Sequence, residues 1–152
     1  MKHIRGFEQQ VLCDARDTAH DEPVPTFYNP TSQASFYNRV RRKLGLPDAF
    51  RQHHLSALTD AILFSHYGMQ GYHDLGLKKK KHITRFYGYD LQRIILSDPR
   101  WKKWYQELFA RCDRFITEGP HMKSLLVNNG CAPEKIEVCY LGTETGDITY
   151  TP

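Results

Sequence analysis

The chain has 152 residues, a formal net charge of +4, and a composition that is 40% hydrophobic, 25% charged and 12% aromatic. This length is typical of one folded domain, and the aromatic content excludes an intrinsically disordered chain. The small positive charge favours contact with an anionic membrane surface or an anionic substrate, but it does not indicate a nucleic-acid partner.

The cysteines and the hydropathy limit the kind of site and the compartment. Four cysteines occur in the chain: Cys13, Cys112, Cys131 and Cys139. None of them shows the C-x-x-C spacing of a zinc site, and the adjacent His53 and His54 would not share one face of a helix. Since we find no apolar export segment and no stretch near the roughly 18 apolar residues of a membrane span, we expect free thiols, no metal site and a cytoplasmic protein. Any membrane contact would be peripheral.

Short apolar segments alternate with helical patterns along the chain, which predicts an α/β fold with a mainly parallel sheet. Within the first 60 residues we predict a strand at Gln10–Cys13, an extended connection at Asp21–Pro30, a helix from about Ser32 to Gly45 and a weaker helix from Pro47 to about Thr59.

The remainder of the chain continues this alternation. We predict strands at Ala61–Ser65, His82–Phe86, Arg114–Thr117 and Ile136–Leu141, and helices at Tyr72–Leu77, after Asp98, and around Met122 up to Gly130. The helix after Asp98 carries an apolar face that predicts core packing. This face consists of Trp101, Trp104, Tyr105, Leu108 and Cys112.

Three of the predicted strands end in polar turns that contain glycine: His66–Gly71, Tyr87–Asp90 and Glu118–His121. In an open parallel sheet, ligands bind outside the carboxyl ends of the strands, and these ends share one edge. Glycine lets a ligand approach the backbone closely, and the start of a following helix offers free N–H groups to an anion. The sequence therefore predicts that the three turns form one wall of a cleft.

Each turn has a functional and a purely structural interpretation. His66, Tyr67 and Gly68, together with Gly71, would line a sugar or phosphate pocket, or the two glycines would serve only the geometry of a strand-to-helix turn. They match neither a dinucleotide-binding fingerprint nor a P-loop.

The second turn is the most polar. Asp90 beside Gly88 would accept hydrogen bonds from sugar hydroxyls, and Arg85 would bind a phosphate or pair with a carboxylate.

In the third turn, Glu118 would bind sugar hydroxyls or act on a proton beside Gly119 and His121. Alternatively, this turn only begins a helix, where negative charge is favoured. The run Lys78–Lys81 suggests phosphate or anionic lipid, but its place before a strand is also typical of a solvated turn at the opposite edge of the sheet.

The turns, in this order, resemble the family-4 glycosyltransferases of the GT-B type. Ile62–Gly71 (ILFSHYGMQG) resembles the family's strand followed by an H-x-H-F-G turn, and His82–Asp90 (HITRFYGYD) resembles its T-x-F-H/Y-G-x-D segment. Leu108–Leu141 resembles the stretch that leads to the end of the family's first domain. The resemblance extends from about residue 8 to Gly142.

This resemblance implies that residues 1–152 are part of an N-terminal, acceptor-side domain. Such a domain is Rossmann-like, with a mainly parallel sheet and helices on both faces, and is here one incomplete half of a GT-B fold. The enzyme would be retaining and would use a nucleotide-sugar as co-substrate, a glycan or lipid-linked acceptor, and no cofactor or metal. Tyr87 stands where many members have a reaction-centre His, so Tyr87 and Asp90 are the candidate catalytic residues.

The family pattern also has parts that we do not find in this sequence. Its first strand and glycine-rich loop would precede residue 1, and its donor-binding domain would follow Pro152. We therefore expect the chain to be inactive alone and to need a donor-binding domain, which either a longer form of the same chain or a separate chain would supply. The alternative is a non-catalytic glycan-binding module or a gene remnant. We expect no nucleic-acid partner.

Overall fold

A computed structural model describes residues 11–13, 26–28, 36–44, 49–56, 60–77 and 81–142. The chain divides into two compact units. The first comprises Met1–Thr59 and Gly76–Lys78, and the second comprises Asp60–Leu75 and Lys79–Pro152. All three predicted turns belong to the second unit.

The first unit contains two short strands and two helices. β1 (Val11–Cys13) and β2 (Thr26–Tyr28) pair in parallel, and α1 (Phe36–Lys43) and α2 (Ala49–Ser56) follow. The predicted strand and both helices are confirmed. The extended connection at Asp21–Pro30 is corrected in one respect, because its Thr-Phe-Tyr centre pairs as a strand. β-branched and aromatic residues favour this conformation, which the prediction had treated as unpaired.

The second unit is a four-stranded sheet with helices. Its elements are β3 (Ile62–His66), α3 (Gly68–Asp74), β4 (Lys81–Arg85), a π-helical turn (Asp90–Ile94) that continues into α4 (Ile95–Ser97), α5 (Arg100–Arg111), β5 (Arg114–Thr117), α6 (Pro120–Asn128), a 3-10 turn (Pro133–Lys135) and β6 (Ile136–Val138). The strand order is β3-β4-β5-β6, and every pair is parallel. The predicted Rossmann-like α/β fold is confirmed.

The strands alternate between a buried and a more exposed face, as period-two side chains require. In β4, His82 and Thr84 are buried, whereas Lys81 is exposed and Ile83 and Arg85 are half-buried. The buried face packs against α3, α5 and α6 through one apolar cluster. Its fully buried members are Phe86, Tyr105, Leu108, Cys112, Phe115 and Leu126.

The predicted core face of α5 is confirmed for Tyr105, Leu108 and Cys112, which are buried. Trp101 and Trp104 are half-buried. Trp101 packs against the core cluster as predicted, so only the assignment of Trp104 is corrected. The two tryptophan rings pack edge to face with centroids 4.8 Å apart, at the rim of the core.

Three other boundaries differ from the prediction. α3 begins at Gly68 instead of Tyr72, β6 ends at Val138 instead of Leu141, and the stretch from Asp90 to Ser97 is helical. The helical stretch buries Leu91 and Ile94 against the core, and a short window of sequence does not show this tertiary contact.

α3 approaches the sheet closely at its two glycines. A Cβ on Gly71 would lie 2.5 Å from Oγ1 and 2.7 Å from Cγ2 of Thr84. A Cβ on Gly68 would collide with the ring of Phe86. Thr84 and Phe86 are fully buried, so neither side chain has space to move away.

Replacing Gly71 with Ala should therefore lower the free energy of unfolding by up to about 2 kcal/mol. Overpacking a tight core costs roughly 1–3 kcal/mol, and the better helix propensity of Ala, about 1 kcal/mol, offsets only part of that. Urea unfolding followed by tryptophan fluorescence measures this unit, because both tryptophans lie in α5. The control is Gly142→Ala, since an added Cβ there meets no atom within 4 Å. Equal stability of the two variants would contradict the packing argument.

Candidate functional site

The carboxyl ends of β3, β4 and β5 lie side by side. His66 is the register partner of Arg85, and Arg85 is the partner of Ile116. The ladder continues beyond the strands, because the N–H of Tyr67 donates to the carbonyl of Arg85 at 3.0 Å and the N–H of Phe86 donates to Ile116 at 2.9 Å. The three turns are therefore at one edge of the sheet, as the parallel pattern predicts.

Three of the predicted side chains come together at this edge, and we call His66, Arg85 and Tyr87 the edge cluster. His66 Nδ1 lies 2.7 Å from the hydroxyl of Tyr87. The two rings are nearly parallel, at 15°, with centroids 6.1 Å apart. The guanidinium carbon of Arg85 lies 5.5 Å from the centre of the Tyr87 ring, within the range of a cation–π contact.

The environment keeps both rings of the edge cluster uncharged near neutral pH. Burial, followed by the positive charge of Arg85, lowers the pKa of His66. Burial raises the pKa of Tyr87, with Arg85 opposing it and the charge of Glu118 adding to it. Tyr87 is thus a hydrogen-bond donor at neutral pH, and it is poorly suited to accept a proton.

Arg85 still has hydrogen-bonding capacity. Its Nη2 donates to the carbonyl oxygen of Cys139 at 3.4 Å, and its buried Nε has no hydrogen-bond partner. A guanidinium carries five N–H groups, so most of them are available to a ligand.

Asp90 is fully buried beneath this edge. Its Oδ2 accepts a hydrogen bond from the backbone N–H of Tyr87 at 3.0 Å. Burial raises its pKa to about 6, although hydrogen bonding from the backbone amides of Tyr87, Gly68 and Met69 lowers it. Oδ1 has no partner at ordinary hydrogen-bond geometry, so the contribution of Gly68 and Met69 comes from longer contacts.

The interactions of Asp90 are thus with backbone N–H groups. Gly68 and Met69 are the first residues of α3, whose preceding residue Tyr67 provides no side-chain cap. The side chain of Asp90 comes from a different turn of the chain, and the amides of Gly68 and Met69 favour its charged form, but burial outweighs them and keeps its pKa raised. The catalytic assignment of Asp90 stays a prediction, and this geometry gives Asp90 a positioning role.

The other predicted residues are more scattered. Gly68 and Gly71 are buried, and close helix–sheet packing accounts for both. Glu118 is close enough to Tyr87 to raise the pKa of its hydroxyl. His121 is exposed in the first turn of α6 and shows no contact with the edge cluster in the part of the chain described.

Gly88 and Gly119 are half-buried, and both have some free space around them. Their added Cβ atoms would lie 3.7 Å from Met122 and 3.9 Å from Tyr140 respectively. These are ordinary van der Waals distances, so packing alone does not require glycine at either position.

The sequence placed Tyr67 in the first turn but gave it no role of its own. Its ring centroid lies 4.7 Å from that of Tyr87, and its side chain is 47% exposed. Its backbone has φ 69° and ψ 141°. A single sequence carries no signal for a positive φ at a residue other than glycine, so only the fold reveals this position.

The structure also brings together Ser65, His82 and Asp74, a set that sequence reasoning did not find. The Ser65 hydroxyl donates to Asp74 Oδ2 at 2.7 Å and lies 2.9 Å from His82 Nε2. Because the hydroxyl proton goes to Asp74, the imidazole N–H is the donor in the second bond, the reverse of an activated serine. All three residues are buried, so they form a structural polar network.

The Lys run lies partly outside the described residues, which include only Lys81. Lys81 begins β4 at the opposite edge of the sheet and pairs with Asp113 at 2.9 Å. Among the residues that the structure describes, no group of three or more His, Cys, Asp or Glu residues could hold a metal ion. No helix in those ranges is long and apolar enough to cross a membrane.

Residues 3–147 match the family model of Glycosyltransferase Family 4. The chain belongs to this family. A putative colanic acid biosynthesis glycosyltransferase, WcaL, from Salmonella typhimurium (strain LT2) is 30% identical over 95 residues, which cover 59% of this chain and 23% of that relative. The chain therefore matches about a quarter of the length of this relative. No solved structure matches.

The raised pKa of Asp90 predicts a pH-dependent stability. A carboxyl whose pKa is about 6 in the folded chain and about 3.8 unfolded stabilises the fold only while protonated, so stability falls as the pH rises through 6. Because Asn does not ionise, Asp90→Asn removes this pH-dependent loss of stability. The stability of the variant relative to the parent should improve by about 3 kcal/mol between pH 3.5 and pH 7, from roughly two pKa units at 1.36 kcal/mol each.

Urea unfolding of both proteins at several pH values measures this difference. The other titrating groups are common to both chains, so their contributions cancel in the difference between the two free energies of unfolding. A stability difference that does not change with pH would show that Asp90 has an ordinary pKa in the folded chain.

Proposed function

We propose that this chain is the acceptor-side part of a retaining glycosyltransferase. The enzyme would transfer a sugar from a nucleotide-sugar to a glycan or lipid-linked acceptor. The observation that carries the proposal is the edge cluster, which lies at the carboxyl edge of a parallel sheet in a chain of family 4. Ligands of such sheets bind at this edge.

The edge cluster offers the groups that an acceptor sugar requires. The hydroxyl of Tyr87 donates to a ligand when Nδ1 of His66 carries the ring proton, Arg85 offers several donors, and the nearby Glu118 is an acceptor for hydroxyl groups. Tyr87 also occupies the position of the family's reaction-centre His, so we assign it the contact with the reacting oxygens. Transfer in this proposal needs no metal and no cofactor beyond the nucleotide-sugar itself.

The proposed acceptor is an intermediate of a cell-envelope polysaccharide. The similar Salmonella protein carries a name from colanic acid biosynthesis, which supports a polysaccharide setting. We place the reaction in the cytoplasm, with peripheral contact at the membrane where a lipid-linked acceptor would be presented.

A second candidate is a glycan-binding module without catalysis. The observation in its favour is the residue at the reaction-centre position, which is Tyr87 and is held uncharged by its surroundings. A tyrosine there binds a hydroxyl well but does not take over every role of a His, which changes charge near neutral pH.

Transfer activity distinguishes the two candidates. The purified chain should release no nucleotide above background from UDP-glucose, UDP-galactose or GDP-mannose, because a single domain supplies only part of the differential contacts that catalysis requires. Mixing or fusing it with the donor-binding part of the Salmonella relative should restore transfer to bacterial lipid-linked glycans. Nuclear magnetic resonance of the product would show a retained anomeric configuration. An inverted product would refute the retaining mechanism, and binding without transfer in every combination would favour the module.

In the active assembly, Tyr87→Phe should lower kcat/KM by about 100-fold, as loss of one well-placed hydrogen-bond donor does in other enzymes. The substitution keeps the ring and its packing. Tyr89→Phe is the matched control, because Tyr89 is two residues away and 56% exposed. Similar rates for the two variants would remove Tyr87 from the reaction centre.

A further inference from the structure

Tyr67 has a backbone conformation that side chains other than glycine rarely adopt. With φ 69° and ψ 141°, it is the only non-glycine residue with a positive φ among those described. Two backbone hydrogen bonds maintain this conformation: its N–H donates to Arg85 at 3.0 Å, and its carbonyl accepts from Gly71 at 3.0 Å. The end of β3 and the start of α3 thus fix the turn from both sides.

Packing does not explain why a tyrosine occupies this position. A side chain that is 47% exposed gains less from burial than one in the core, and glycine would form the same turn without strain. Strained residues of this kind concentrate at binding and catalytic sites, where the surrounding structure maintains them. The strain therefore points to a function for the exposed ring.

We propose that Tyr67 and Tyr87 form a stacking platform for a pyranose ring of the acceptor. This inference rests on the proposed function and names a subsite within it. The two rings are in contact, with centroids 4.7 Å apart and planes inclined at 41°, so no ligand ring fits between them and a sugar would lie across their exposed surfaces. A puckered sugar ring presents its C–H face to such rings.

The polar groups beside the platform match a neutral, hydroxyl-rich ligand. The guanidinium of Arg85 contributes donors, and Glu118 contributes an acceptor. One positive and one negative side chain do not favour an anion. His66, uncharged and hydrogen-bonded to Tyr87, fixes the orientation of the second ring of the platform.

The Tyr67→Gly variant tests whether the ring of Tyr67 is held for ligand binding or for packing. If the ring is held for binding, the glycine variant relieves the strain and unfolds at a higher urea concentration than the parent. Tyr89→Gly is the matched control, since Tyr89 has helical dihedrals and glycine there should lower the midpoint. A fall in the midpoint for Tyr67→Gly would show that the ring serves packing and would overturn the proposal.

Binding is tested on the complete 152-residue chain with simple probes. These are methyl β-D-galactopyranoside, methyl α-D-glucopyranoside, methyl α-D-mannopyranoside and, as a planar probe, uridine. Saturation-transfer and titration experiments by nuclear magnetic resonance should show at least one pyranoside binding in the millimolar range, about 5-fold or more weakened by Tyr67→Gly and unchanged by Tyr67→Phe. Binding of uridine alone, no pyranoside binding up to about 50 mM, or equal binding by Tyr67→Gly would each overturn the platform.

The two proposals fail in different ways. Pyranoside binding that depends on Tyr67, without transfer in any assembly, would remove the proposed function and keep the platform as a glycan-binding site. Transfer in an assembly whose acceptor KM is unaffected by Tyr67→Gly would keep the function and remove the platform.

Discussion

The buried side chain of Asp90 is the contact on which the geometry of the edge depends. Its Oδ2 accepts a hydrogen bond from the N–H of Tyr87, which fixes the backbone of the turn after β4. The amides of Gly68 and Met69, the first residues of α3, oppose the rise of its pKa, but burial outweighs them. Asp90 therefore links the turn after β4 to the turn after β3, where α3 begins at Gly68 and Tyr67 alone reverses the chain.

The glycines of the first turn contribute to the same geometry. Of the two interpretations of Gly68 and Gly71, packing supports the geometric one, because both let α3 lie directly on Phe86 and Thr84. The register of the sheet places the end of β3 level with the end of β4, where His66 meets Tyr87. Packing thus accounts for these glycines, and the surface of the edge is formed by side chains.

How well each element could be predicted from the sequence depends on how far apart in the chain its stabilising contacts lie. Arg114–Thr117 is predicted to the residue, because its alternation and its polar boundaries are local. The start of α3 is wrong by four residues, because Gly68 and Gly71 pack against Phe86 and Thr84, which are distant in sequence. His66, Arg85 and Tyr87 were identified because they lie at or just after the ends of predicted parallel strands, whose ends must share an edge. Tyr67 was placed in the first turn, but its strained backbone was not predicted, since positive φ leaves no trace in residue type.

The charges at the edge explain why these groups suit one half of a transfer reaction. Transfer from a nucleotide-sugar leaves negative charge on the departing phosphate, and that charge must be stabilised in the transition state. Within the edge cluster Arg85 is the one cation, because His66 is kept neutral, and Arg85 is partly engaged by the Cys139 carbonyl. Hydroxyl groups of an acceptor fit this neutral surface better than a phosphate does. The stabilisation of the leaving group must therefore come from residues beyond this cluster, which is the role of a donor-binding domain in the proposed enzyme.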